Sequence, residues 1–370
     1  MRIGIVLHGP EAVDDGSAER IINTLRLDHQ VTAKLGGTMG RTAVLDAGLE
    51  DVIDIRLGMT PSKTIESLRG NIDIIILISR GKTLDTGRHF GSIVASRIDI
   101  SIPFIHIESP FYEGKIIYYG KNGERCADYV RRLLEKHIPD LELPIESGIP
   151  LCPLFRTEGD RQIRRIYGAL PGENVRIEGV VIGHITHVEP EIICRDGRVV
   201  ELRGIKIKQH GLEKLDNKKI DLFNAEVKTG NIRRTKHTTK IKPARSFADG
   251  KKIVMIDHCA ESTFELVGDA DIAITVGDDT TTIAADILTR LGIAIIGITD
   301  GDPDSILGDA AIPAGSMIIR VKEGYDDIIG REISEKIMVG RQKLSVKSCE
   351  EIVEKVLKLA ENKIVEIKSY

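Results

Sequence analysis

Apolar runs recur along the first third of the chain: RIGIVL at 2–7, HQVTAKL at 29–35, DVIDIRL at 51–57, IDIIILIS at 72–79 and PFIHIES at 103–109. Helically spaced segments at 17–27, 61–68, 87–97 and 124–137 separate or follow them. Most of these runs are continuous rather than alternating, which predicts strands covered on both faces, as in parallel α/β sheets. Four prolines between 139 and 153 mark a boundary. From about 160 to 245 the texture changes to short strands with polar alternation, NVRIEGVVIGHITHVE and EIICRDGRVVELRGIKIKQ, and Asp196-Gly197 predicts a hairpin turn. After Gly250 the first texture returns in KKIVMID, DIAITVG, GIAIIGI and SMIIRV, with helices expected at 261–267, 280–291 and 348–361. Ser348 and Glu351 have the spacing of a capping box for the last helix. The expected architecture is α/β: two Rossmann-like parallel-sheet units, 1–140 and 249–370, flanking a smaller β-rich barrel or sandwich domain at 141–248.

Composition sharpens this picture. Isoleucine supplies 56 of 370 residues, Trp is absent, and Phe and Tyr together number 14. So large a β-branched load favours buried strands. With many Lys and Glu, it leans towards a thermophilic or archaeal source. No apolar run approaches the roughly 20 residues of a membrane helix, and the N-terminus turns acidic too early for a signal peptide. Five scattered cysteines without a CxxC pair argue against structural zinc and a disulfide framework, and for a cytoplasmic location. The net charge of −4 conceals a partition: residues 151–245 hold 20 Lys/Arg against 12 Asp/Glu, and the remainder 32 against 44. Between 227 and 248 there are seven basic residues and no acidic one, a stretch suited to an anion or to a solvated linker.

Ligands of open α/β sheets bind where strands end and helices begin. The segment Val276-Gly277-Asp278-Asp279-Thr280-Thr281-Thr282 lies at such a point. Gly277 permits a tight turn, and the helix N-terminus with Thr280, Thr281 and Thr282 suits a phosphate. Asp278 and Asp279 suit Mg²⁺ bridging to that phosphate, the alternative being that one of them caps the helix. The loop Thr299-Asp300-Gly301-Asp302-Pro303-Asp304 ends the next strand and adds Asp302 as a candidate proton acceptor. The strand–GDDT–helix–GIxxIG–acidic loop order is similar in arrangement to phosphofructokinase-like and NAD-kinase-like folds, over about 30 residues and without the second Gly of their GGD loop.

Three further loops follow N-terminal strands. His8 opens HGPEAVDDG, where a dinucleotide fold would carry GxGxxG; that fingerprint is absent, against NAD or FAD in the usual pose. Gly36, Gly37, Thr38, Gly40 and Arg41 form a glycine turn that lacks the Walker A spacing and lysine, and Arg41 is its candidate anion fork. Arg80 and Lys82 are basic residues at a third strand end. His184-x-x-His187 would place its rings on opposite faces of a strand, against shared zinc ligation. Cys259 beside His258 reads as a buried thiol near a helix start, not a nucleophile with its base.

Four long segments, HGPEAVDDGSA, KLGGTMGRTAVLDAGLE, RIEGVVIGHITHVEPEI and TVGDDTTTIAADIL with GIAIIGITDGD, together resemble an uncharacterised protein family known mainly from methanogenic archaea. The resemblance spans nearly the whole chain. It implies a lineage and assigns no activity or catalytic residue.

Three functional expectations follow. The first is a Mg²⁺-dependent enzyme transferring a phosphoryl or other group on a nucleotide or phosphorylated small molecule. In it Asp278 and Asp279 hold the metal, Thr280–Thr282 and the helix N-terminus hold phosphate, the Gly36–Thr42 or Arg80–Thr83 loop holds a second anion, and His8, Asp279 or Asp302 serves catalysis. The second is a nucleic-acid-binding protein using the basic middle segment, weakened because 151–245 offer only Phe155, Tyr167 and Phe223 for stacking. The third is a non-catalytic nucleotide sensor.

Overall fold

The computed structural model describes residues 1–370 except 100, 152–154, 179, 216–218, 230–234, 236, 245 and 302–311. The first seven strands are β1 (Arg2–His8), β2 (Gln30–Leu35), β3 (Ile53–Asp54), β4 (Ile74–Ser79), β5 (Phe104–Glu108), β6 (Lys115–Tyr119) and β7 (Ile145–Ser147). They form one sheet in the order β3-β2-β1-β4-β5-β6-β7. Strands β1 to β5 pair in parallel, β6 runs antiparallel to β5, and β7 parallel to β6, so this sheet continues beyond residue 140. Helices α1 (Glu11–Asp14) and α2 (Ser17–Arg26) follow β1, α3 (Arg41–Ala47) follows β2, and α4 (Pro61–Leu68) follows β3. Then α5 (Leu84–Ser96) follows β4 and α6 (Gly123–His137) follows β6.

Strand alternation distributes the isoleucines. Ile3, Ile5 and Leu7 of β1 and Ile74, Ile76 and Ile78 of β4 enter one buried cluster, whereas Val6, Ile75 and Leu77 enter the cluster on the other face. A one-residue slip would exchange the two sets, so the packing itself specifies register. Each such side chain contributes about 2 kcal/mol by leaving water.

The middle segment builds two antiparallel sheets from β8 (Phe155–Glu158), β9 (Arg161–Arg165), β10 (Asn174–Ile177), β11 (Val180–Ile185), β12 (Glu191–Arg195), β13 (Arg198–Arg203), β14 (Ile205–Ile207) and β15 (Val227–Thr229). Their orders are β13-β12-β9-β8 and β14-β11-β10-β15, and helix α7 (Gln209–Leu215) lies between β14 and β15 in the chain. Asp196 and Gly197, both at positive φ, turn the β12–β13 hairpin as the sequence predicts. The first sheet and this segment together make one compact unit, Met1–His237.

The second unit, Thr238–Tyr370, contains β16 (Lys252–Asp257), β17 (Ile272–Val276), β18 (Ala294–Thr299), β19 (Met317–Val321), β20 (Lys343–Ser345) and β21 (Ile364–Ser369). Their order is β20-β16-β17-β18-β19-β21, with a parallel centre and antiparallel edges. Its helices are α8 (Thr263–Val267), α9 (Asp278–Leu291), α10 (Asp326–Lys336) and α11 (Glu350–Ala360). At α11 the Ser348 hydroxyl accepts from the Glu350 amide at 3.1 Å and Cys349 stands at the cap, so the expected Ser348/Glu351 box does not form. The chain is thus mixed α/β, with parallel-containing sheets and separate antiparallel ones. Among the described residues no helix is long and apolar enough to cross a membrane.

Candidate functional site

In the first sheet the chain order reverses between the neighbouring strands β1 and β4, the usual place for a crevice at carboxyl ends. A cleft of about 350 Å³ opens there, lined by His8, Ser79, Arg80 and Lys82 from the strand ends, and by residues of the middle segment including Tyr167 and Lys228. Phe90, Ile93 and Val94 of α5, with Met39 and Pro61, give it apolar walls.

His8 stacks on Phe90 with ring centroids 4.2 Å apart. Its Nδ1 lies 3.0 Å from the Gly36 carbonyl. That oxygen can only accept, so Nδ1 carries the proton and Nε2 is the ring's acceptor. Burial depresses the His8 pKa, keeping the ring neutral near pH 7. A neutral imidazole with a lone pair at a cleft is suited to general-base work.

Beneath the cleft lies a polar network absent from the sequence-based candidates. Glu108 is fully buried at the end of β5. Its carboxylate accepts from the Gly81 amide at 2.6 Å, the Ser79 hydroxyl at 2.7 Å and the Ser109 hydroxyl at 2.8 Å. His106 Nε2, also fully buried, lies 3.2 Å from Glu108 and 2.9 Å from Ser79 Oγ. Burial pushes the Glu108 carboxyl up, but the hydrogen bonds from His106, Ser79 and Gly81 outweigh it, and the net displacement is downward. Helix α5 crosses this network closely. A Cβ on Gly87 would lie 2.1 Å from the Glu108 carboxyl carbon, and one on Gly91 2.1 Å from His106 Nδ1. Glu108 thereby fixes the Ser79-Arg80-Gly81 turn. Thr83 and Thr86 then start α5 with reciprocal side chain–backbone bonds of 3.2 and 3.0 Å, a box built from two threonines.

Of the other N-terminal candidates, Arg80 donates to Asp15 at 3.1 Å and sits 3.5 Å over the Tyr112 ring. Lys82 donates to the Gly168 carbonyl at 3.0 Å and pairs with Glu173. The glycine turn supports the cleft more than it lines it. Gly36 donates to Leu7 and Gly37 to Met59, Gly40 precedes α3, and Thr38 accepts from the Arg41 amide. Arg41 is 1% exposed and its Nε donates to the Ile55 carbonyl at 2.9 Å. The expectation of an anion fork at Arg41 is therefore corrected: this guanidinium faces the interior.

The second unit has a cavity of about 380 Å³ at the ends of β17 and β18, lined by His258, Gly277, Asp278, Asp279, Thr280, Asp300, Gly301, Glu323 and Asp326. Its described lining holds five carboxylates and no lysine or arginine. Asp278, Asp300 and Asp326 bring carboxylate oxygens within 4.8 Å of one another, as do His258, Asp326 and Asp327 through their ligand atoms. Asp279 lines the cavity but belongs to neither cluster. Burial, with Asp300 and Asp327 nearby, raises the pKa of Asp326. His258 Nδ1 lies 2.6 Å from Asp257 and its Nε2 3.3 Å from Asp327, so the ring serves these carboxylates rather than Cys259. Gly277, at φ 95° and ψ 148°, takes a backbone conformation reserved for glycine and turns β17 into α9.

The threonines are less available than expected. Thr281 is buried with its hydroxyl 2.8 Å from that of Thr275, and Thr282 donates back to the Asp278 carbonyl at 2.9 Å. Thr280 is 5% exposed at the cavity wall. Asp302 lies outside the described residues, as do Arg233, Arg234, Lys236 and Arg245 of the basic run.

In the middle segment several strand cations are tied to acids. Arg156, Arg165 and Arg203 converge on Glu191 at 2.6, 3.5 and 3.3 Å. Phe155 packs edge-on to Phe223, and Tyr167 packs against His89 with the rings tilted by 37°.

A mixed α/β chain with a basic-rimmed cleft in one unit and a carboxylate-lined cavity in the other is the class that fold and geometry define. The model of the family described as "Uncharacterized protein conserved in archaea (DUF2117)" matches residues 5–341, and the chain belongs to that family. It is similar to an uncharacterised protein of Methanocaldococcus jannaschii, 40% identical over 346 residues that cover 92% of this chain and 93% of that protein. The lineage implied by the long segments is borne out: the family is archaeal and the relative is a methanogen's.

Proposed function

We propose that this protein binds a nucleotide or another phosphorylated small molecule in the cleft over β1 and β4 and transfers a phosphoryl or related group there. The observation that carries the reading is the cleft itself. It joins apolar walls, a neutral acceptor at His8 Nε2 and a cationic rim that includes Arg97 at a sheet reversal point. The order β3-β2-β1-β4-β5 supports taking the first sheet as Rossmann-like. His8 acts as the proton acceptor in this reading. Asp278, Asp300 and Asp326 of the second unit, where hard carboxylate oxygens converge, are a separate candidate site for a divalent cation such as magnesium, and no step at the His8 cleft is placed on it. The free thiols of Cys126, Cys194 and Cys349 suit a cytoplasmic location. A nucleic-acid interface has less support, because Arg156, Arg161, Arg165, Arg195 and Arg203 of the strands meet carboxylates and the three aromatic rings pack on protein rings.

Thermal unfolding of the full chain against a panel of nucleotides and sugar phosphates, with and without Mg²⁺, tests the reading. A true ligand at one hundred times its Kd adds about 2.7 kcal/mol of stability. His8→Gln keeps that stabilisation and loses turnover. If no phosphorylated compound raises the midpoint, the proposal fails; stabilisation without turnover would make the protein a sensor instead.

A further inference from the structure

The cleft does not end at Phe90. A second chamber of about 200 Å³ shares Thr86, Phe90, Ile93, Tyr167, Val227 and Thr229 with the first and reaches Arg164 and Arg165 of β9. Six cations therefore line the two chambers: Arg80, Lys82, Arg97, Lys228, Arg164 and Arg165.

Four of the six face a carboxylate. Arg80 has Asp15, Lys82 has Glu173, and Lys228 has Glu226 at 2.7 Å. Arg165 has Glu189 at 3.4 Å and Glu191 at 3.5 Å. Arg97 and Arg164 differ. Arg164 donates through Nη1 to the Leu222 carbonyl at 3.0 Å and the Ala225 carbonyl at 2.7 Å. These neutral acceptors fix the guanidinium without cancelling its charge. Among the described residues neither arginine makes an ion pair. Burial first, then the nearby Arg97 charge, push the Arg164 pKa down to about 10, with Glu178 opposing; the group is still charged at neutral pH. Two like charges, one of them half-buried and immobilised by backbone carbonyls, gain when an oxyanion enters between them.

We propose that Arg97 and Arg164 form an oxyanion subsite in this two-chambered cleft and take the phosphate group of its ligand. The inference rests on the phosphorylated-ligand reading and moves the main anion contact away from the compensated Arg80 and Lys82. It also sets the ligand class. With phosphate at Arg97 and Arg164, the rest of the molecule lies along Phe90 and Ile93 towards His8, so the ligand carries an aromatic or apolar body and one group that donates to His8 Nε2.

Inorganic phosphate and AMP serve as probes, titrated at constant ionic strength into the full chain and into its Arg97→Ala, Arg164→Gln and Lys82→Met variants, with thermal unfolding as readout. Arg97 is exposed, so its variant reports on the subsite even if Arg164→Gln folds poorly. Apparent affinity for both probes should fall about tenfold or more in the two arginine variants, the scale of one lost charge-assisted contact. It should stay within about twofold in Lys82→Met, whose cation is already matched by Glu173. Wild-type affinity in Arg97→Ala together with loss in Lys82→Met would overturn the subsite and leave the phosphorylated-ligand reading standing. Absence of any response to phosphorylated compounds in the wild type would overturn both.

Discussion

Two carboxylate environments distinguish the units of this protein. Glu108 in the first is buried completely, yet each of its oxygens accepts from hydroxyl or amide donors at 2.6–2.8 Å. Asp326 in the second is 9% exposed and has Asp278 and Asp300 oxygens within 4.8 Å. Burial raises both carboxyls, and the neighbours decide the outcome: donors bring Glu108 below its ordinary value, and acids leave Asp326 above it. The first arrangement satisfies both Glu108 oxygens, leaves only His106 Nδ1 buried without a partner among its described atoms, and acts as a structural floor for a cleft. The second is a set of oxygens that a divalent cation would satisfy.

The largest expected effect breaks the first arrangement. Glu108→Ala leaves the Gly81 amide, two hydroxyls and His106 facing a void, and should cost about 3–5 kcal/mol of stability. Urea unfolding, with hydrogen exchange resolving the two units, would register the loss in residues 1–237. A loss below about 1 kcal/mol would mean that the network is not holding the strand ends.

Asp326→Asn should do the opposite. Removing one of several like charges should stabilise the second unit by about 1 kcal/mol without metal, and should abolish stabilisation by Mg²⁺. The comparison collapses if the variant is less stable without metal and still responds to Mg²⁺.

The pH dependences should carry opposite signs. His8 and Glu108 have folded-state pKa values below their ordinary 6.5 and 4.5. The unfolded chain therefore binds more protons just below those values, and the first unit loses stability as pH falls through each window. Asp326 lies above its ordinary 3.8, so the folded second unit holds the extra proton and loses stability as pH rises past that value. Exchange protection measured from pH 4 to 7 would show the first unit gaining protection beyond the intrinsic rate change and the second gaining none. Parallel trends would refute the assignment.

The smallest effect concerns a hydroxyl that looked available. Thr282→Val removes only a bond back to Asp278, so stability should change by no more than about 0.5 kcal/mol and the Mg²⁺ response should persist. A lost Mg²⁺ response would return Thr282 to the site.

Much of this architecture was legible because isoleucine runs and strand-end glycines are local signals. His8, Arg80, Lys82 and the Gly277–Thr280 turn all stand at strand ends, where the continuous apolar runs stop. The errors have physical causes. Arg41 follows a glycine turn that resembles an anion loop, but its helix buries it, and helix orientation is a tertiary property. Glu108 and His106 sit inside an apolar run and were read as strand; their i, i+2 spacing, which puts both on one face, was the available clue. Asp326 starts a helix remote in sequence from Asp278, so no spacing rule unites them. The same holds for Arg97 and Arg164, which different elements bring to one cleft.

The most direct test of the central claim is hydrogen exchange on the full chain with Mg²⁺ alone, with AMP alone and with both. AMP should protect residues 79–97 and 164–168 in the first unit, and Mg²⁺ should protect 276–282 and 323–327 in the second. Protection of neither cleft by any phosphorylated compound, or Mg²⁺ protection confined to the first unit, would contradict the account.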